Sequence, residues 1–181
     1  MPEEIKTARC ACGRVVLTMR GAPIVSVACY CDDCQEGARQ IESLPNAAPV
    51  KNSDGGTGYL AYRKDRVDCT SGQEHLQSLK IRPESATKRV VATCCNSAMY
   101  LGFEDSKHWV DVYRSRVQGA APPVQMHICT RYKTVADENS AGVPGYPGYP
   151  FKFVVRLIGA RIAMWWPDGR NARDPSARRR L

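Results

Sequence analysis

Nine cysteines fall in a chain of 181 residues, and seven of them stand in three tight groups. Cys10-Ala11-Cys12-Gly13 is a Cys-x-Cys turn, Cys29-Tyr30-Cys31-Asp32-Asp33-Cys34 is a Cys-x-Cys-x-x-Cys run, and Cys94-Cys95 is an adjacent pair. The N-terminal residues Met1-Pro2-Glu3-Glu4-Ile5-Lys6 lack an apolar export signal, so a reducing, cytoplasmic setting is expected. Clustered thiols there read as metal ligands or redox groups before disulfides, and an odd count argues against a fully paired framework. Thiolates on closely spaced turns can converge on one tetrahedral zinc, and two segments of two make a closed site. That arithmetic predicts a structural zinc held by Cys10, Cys12, Cys94 and Cys95. It leaves Cys29, Cys31 and Cys34 as a three-sulfur site with one open position, the arrangement that does chemistry. One or two purely structural zinc sites, or a redox pair at Cys31 and Cys34, are the competing readings. Cys69 and Cys129 stand alone in apolar segments and read as small buried hydrophobes.

A chain of this length suggests one domain with a core large enough to fold without disulfides. No run approaches the ~18 apolar residues of a membrane span, so no membrane partner is expected. Net charge is +8, from 26 basic and 18 acidic residues, and Arg170, Arg173, Arg178, Arg179 and Arg180 supply much of the excess. Residues 170–181 therefore read as a solvated basic tail after a domain spanning 1–169.

The chain between the cysteines is punctuated by turn residues. Arg14–Met19, Ile24–Ala28, Tyr59–Tyr62, Arg66–Thr70, Leu76–Arg82 and Arg89–Thr93 are short, and several of them are rich in β-branched residues. Short strands at this spacing predict a mainly β core. A short helix is expected after Cys34, from Gln35 to Glu42. Residues 107–117 fit either period, and the helical reading is preferred. Gly142-Val143-Pro144-Gly145-Tyr146-Pro147-Gly148-Tyr149-Pro150 forbids regular structure and reads as a loop or lid. Beyond it Phe151, Val154, Val155, Ile158, Ile162 and Trp165 recur at helical spacing, which predicts a helix to about Trp165 with that stripe on the core.

Cys-x-Cys-Gly, then Cys-x-Cys-x-x-Cys about twenty residues on, then a distal cysteine cluster, resembles the glutathione-dependent formaldehyde-activating enzyme family over roughly residues 8–130. The run Cys-Tyr-Cys-Asp-Asp-Cys-Gln resembles an uncharacterised branch of it. The resemblance implies an Mss4-like β-tent of small antiparallel sheets. It also implies a structural zinc on Cys10, Cys12 and the distal pair, and a catalytic zinc on Cys29, Cys31 and Cys34. Its activity would be carbon–sulfur lyase chemistry that joins glutathione to formaldehyde. This sequence departs from the family pattern at Ala92, where a first distal cysteine is usual, and at Tyr30 and Asp32. Cys94 must stand in for the missing ligand, and adjacent ligands need a sharp backbone turn.

The expected partners are a small thiol such as glutathione and a small aldehyde, with Asp32 and Asp33 as candidate proton carriers beside the ligands. His75 and His127 are further acid–base candidates. The rival classes are a zinc-stabilised binding module for nucleic acid or another anionic partner, and a scaffold without activity. Nucleic acid is disfavoured because no aromatic-and-basic recognition motif is present and the second cluster carries two aspartates.

Overall fold

The structure is a computed structural model that describes residues 4–134 and 142–165. In chain order the strands and helices are β1 (Ile5–Arg9), β2 (Val16–Arg20), β3 (Val25–Cys29), α1 (Asp32–Glu42), β4 (Thr57–Arg63) and β5 (Val67–Ser71). They continue with β6 (Leu76–Leu79), β7 (Thr87–Ala92), β8 (Ser97–Phe103), β9 (Trp109–Tyr113), β10 (Met126–Ile128) and α2 (Phe151–Ala163). The fold is mainly β with a C-terminal helix, as the short punctuated runs predict. The basic tail lies outside the described residues.

β1, β2 and β5 make a three-stranded antiparallel sheet. The other strands make a seven-stranded sheet in the order β10-β3-β4-β9-β8-β7-β6, with only β10 and β3 parallel. Side chains alternate across a strand, so a sheet covered on both sides is buried on both. In β4, Leu60 and Tyr62 face the small sheet, where they pack with Leu17, Met19, Met99 and Val112. Tyr59 and Ala61 face the helices, where they pack with Ala38 and Ile41 of α1 and with Phe153 and Leu157 of α2. The molecule is therefore three layers: small sheet, large sheet, helices.

Three sequence expectations change. Trp109–Tyr113 is a strand, not a helix, because β4 and β8 pair with it on either side (Tyr59 with Tyr113, Leu101 with Asp111). Sheet pairing decides a segment whose local period is ambiguous. α1 starts at Asp32 rather than after Cys34. Cys31 is its N-cap residue, and Asp32 and Asp33 occupy the first turn, where the helix dipole favours carboxylates. α2 buries only Phe153 and Leu157, one helical turn apart, while Val154, Val155, Ile158, Ile162 and Trp165 are exposed. The helix meets the core along one narrow edge, fixed where His108 Nε2 lies 2.8 Å from the Leu157 carbonyl.

The glycine–proline segment is irregular, as expected, and it is strapped along β10. His127 N–H donates to Pro144 at 2.9 Å, and Tyr146 and Cys129 N–H donate to His127 and Gly148 at 2.8 and 3.3 Å. Covering β10 in this way leaves no bare edge there.

Candidate metal centres and the adjoining cavity

The first centre lies at one end of the sheets. Cys10 directly follows β1, and the chain then turns through Gly13, whose φ of +79° is left-handed. This turn brings Cys12 back beside Cys10. Cys94 and Cys95 occupy the turn between β7 and β8, where Asn96 adopts a φ of 50°. That reversal is the sharp bend that adjacent ligands require. The sulfurs of Cys10 and Cys12 are 3.6 Å apart, Cys10 and Cys94 3.9 Å, Cys12 and Cys94 3.4 Å, and Cys94 and Cys95 3.9 Å. A tetrahedral ion bonded to sulfur at about 2.3 Å has sulfur–sulfur edges of about 3.8 Å. The four sulfurs therefore fit one metal ion.

Hydrogen bonds orient this set. Val15 N–H donates to Cys10 Sγ at 3.2 Å. Ala11 N–H donates to Ser97 Oγ at 3.0 Å, and Ser97 Oγ lies 3.2 Å from Cys95 Sγ. Burial pushes the Cys95 thiol up, but hydrogen bonds from Ser97 and the neighbouring Cys12 and Cys10 bring it down to about 6. A thiol with that bias is ready to bind a cation.

The second centre is on the helix side of the large sheet. Cys29 ends β3, Cys31 caps α1 and Cys34 lies in its first turn; their sulfurs all lie within 4.8 Å of one another. Cys29 and Cys31 are 3.5 Å apart. Hydrogen bonds from Cys29 and Cys34, reinforced by the Arg89 charge, draw the Cys31 thiol down to about 3. Tyr59 O–H donates to Cys34 Sγ at 3.6 Å. These two sets are the candidate metal groups among the described residues, and all seven expected cysteines belong to them.

Cys129 is a buried core residue, as expected. It sits at a left-handed φ of 58° just past β10, and its thiol is drawn below the ordinary range, chiefly by Cys29. It still falls outside the set of three mutually close sulfurs. Cys69 is a buried core residue, as expected.

A cavity of 120 Å³ opens against the second centre, with Cys29, Cys31 and Cys34 in its wall. Asp33, Arg89, Asp111 and Tyr149 also line it, among apolar side chains that include Val27, Leu101 and Phe153. Asp33 is among the residues that line this wall, and both aspartates are exposed on the first turn of α1. His75 and His127 stand elsewhere. His75 lies 3.6 Å from Glu74, and His127 Nδ1 lies 2.9 Å from the buried Tyr30 hydroxyl. Burial lifts the Asp111 carboxyl to about 7, so it carries its proton into the neutral range.

Sequence reasoning missed Arg89, Asp111 and Tyr149. The signal for Asp111 was its place in a strand-like alternation between Trp109 and Tyr113. Nothing local marked Arg89.

A family model described as Family of unknown function (DUF6151) matches residues 3–112. The chain belongs to DUF6151. The matched part of this DUF6151 chain includes all seven clustered cysteines, Arg89 and Asp111, and ends before Cys129 and α2. No curated protein matches it. A crystal structure of a Rhodobacter sphaeroides protein, a structural-genomics target, is similar with a TM-score of 0.47 at 13% identity, over 77% of this chain and 99% of that one. No helix among the described residues is long and apolar enough to cross a membrane.

Proposed function

We propose that this chain is a zinc-dependent enzyme of carbon–sulfur lyase type that joins a small, glutathione-like thiol to a small aldehyde such as formaldehyde. The observation that carries this reading is the position of the three-sulfur centre in the wall of a cavity. The sequence resemblance to glutathione-dependent formaldehyde-activating enzymes points the same way. Cys10, Cys12, Cys94 and Cys95 would hold a structural zinc, whose binding energy is folding energy. Cys29, Cys31 and Cys34 would hold the second zinc, which when bound would supply a fourth position for an incoming thiol and lower its pKa. All nine cysteines are free thiols, which suits a cytoplasmic setting.

The reaction forms one carbon–sulfur bond and moves one proton, from the thiol to the oxygen of the former aldehyde. Asp33, which lines the cavity and is itself exposed, can take the proton and pass it to water, as can the exposed Asp32 beside it. Asp111, protonated near neutral pH, can hand a proton to the developing alkoxide.

Metal content tests the reading. Supplied with zinc and glutathione, the protein should rise from about one to about two zinc ions per chain, the second held by three sulfurs and the added thiol. Cys31→Ala should abolish the rise and keep the first ion. A second ion that binds as tightly without thiol would refute the open position. So would a protein that never takes up more than one.

A further inference from the structure

Arg89 stands in the middle of β7 on the helix side of the large sheet and is only 3% exposed. Its Nη2 donates to the backbone carbonyl of Asp33, the residue just before Cys34. Its Nε and Nη1 are sealed from solvent and have no hydrogen-bond partner among the described residues. Leaving such donors unpaired is costly, and a buried cation ordinarily has a counter-charge.

The neighbouring carboxylates are engaged elsewhere. Glu36 binds Arg39 at 2.7 Å, and Asp33 Oδ1 lies 3.8 Å from Arg82. Asp111 is two strands away, because Arg89 pairs with Leu101 and Leu101 with Asp111. The fold nevertheless makes room for the guanidinium. At Gly37 on α1, a Cβ would lie 1.7 Å from Arg89 Nε. Arg89 and the three sulfurs line the same cavity of 120 Å³, room for the reacting end of a ligand.

From this geometry we infer that Arg89 forms a carboxylate subsite, so that the molecule entering the cavity is a small acid whose reacting atom lies a few bonds from its carboxylate. The Cys31 thiol already feels the Arg89 charge, and a carboxylate that draws the guanidinium toward the cavity adds the charge-assisted hydrogen bonds that its sealed Nε and Nη1 lack. Because Arg89 and the sulfurs line one cavity, the acid's thiol or aldehyde group then lies at the second centre. This inference rests on the proposed thiol–aldehyde reading and narrows its substrate class. A 2-mercapto acid or a 2-oxo acid of the glyoxylate kind fits, and formaldehyde alone leaves Arg89 unpaired.

Binding to the full-length protein supplied with zinc tests it, followed by calorimetry or ligand-observed NMR. One arm compares mercaptoacetate with 2-mercaptoethanol, and the other compares glyoxylate with acetaldehyde. In at least one arm the acid should bind about ten- to a hundredfold more tightly than its neutral partner, the value of one charge-assisted pairing. The arm that shows it tells which reactant carries the carboxylate. Arg89→Gln should bring the acid and its neutral partner to within about twofold of each other. Equal binding of acid and neutral ligand by the wild type in both arms would overturn the subsite without any variant. So would a preference that survives in Arg89→Gln. Acetate binding that is lost in Arg89→Gln, with neither thiol bound, would uphold the subsite and refute the thiol reading. Both thiols bound equally, with no preference in the aldehyde arm, would do the reverse.

Discussion

Gly37→Ala should destabilise the protein, although alanine is the better helix former by about 1 kcal/mol. Gly37 is buried in α1, and its missing Cβ is where the Arg89 side chain lies: Nε at 1.7 Å, Cζ at 2.3 Å and Cδ at 2.6 Å. A methyl group forces the guanidinium to move. Overpacking of a tight site costs about 1–3 kcal/mol. The bond from Nη2 to the Asp33 carbonyl goes with it, and a hydrogen bond to a charged group contributes about 1.5–3 kcal/mol. After the gain in helix propensity, the net loss should be about 2–4 kcal/mol, or a fall of about 5–15 °C in melting temperature for a chain of this size. Thermal melts of the zinc-supplied protein read this directly. In an Arg89→Ala background the sign should reverse, because the clash is gone and only the propensity remains. An unchanged or raised melting temperature for Gly37→Ala alone would refute the reasoning, since Arg89 would then not be held where the geometry puts it.

Cys12→Ser should sharply lower the melting temperature and abolish tight binding of the first zinc, whereas Cys69→Ser, a change in one core side chain, should act mildly; calorimetry and metal analysis separate the two. Cys129→Ser should leave zinc uptake at the second centre intact, because its sulfur lies outside the close set of three; a stoichiometry limited to one zinc in that variant would make Cys129 a ligand. Asp111 gives a pH signature. Its folded pKa, about 7, lies above the ordinary 3.8, so its contribution is full below pH 3.8 and is lost as pH rises through about 7. The stretch from pH 5 to pH 7 is worth about 2–3 kcal/mol. Asp111→Asn should therefore gain that much relative to wild type between pH 5 and pH 8 in denaturant titrations, and a difference that does not vary with pH would refute it.

The cysteine groups could be read from the sequence because ligand spacing is a local property. A turn that carries Cys10-Ala11-Cys12-Gly13, or a strand end that runs into α1 through Cys29, Cys31 and Cys34, presents its sulfurs together in any surrounding fold. The mainly β character was legible for the same reason: short β-branched runs between turn residues leave few other options. Local pattern could not decide the 109–113 segment, whose residues suit both periods. Only its neighbours β4 and β8 made it a strand and turned Asp111 toward the helices. Nor could it show which apolar residues of α2 would be covered, because that depends on where the helix lies on the sheet. Arg89 is the clearest case. In the sequence it is one cation among 26 basic residues. Its burial, its unpaired donors and the space left at Gly37 arise only when β7 passes under α1 at that point. The sequence determined which atoms can bind a metal. The tertiary structure decided that one of the two sets faces a cavity with a buried positive charge, because strand order and helix placement join residues more than fifty positions apart.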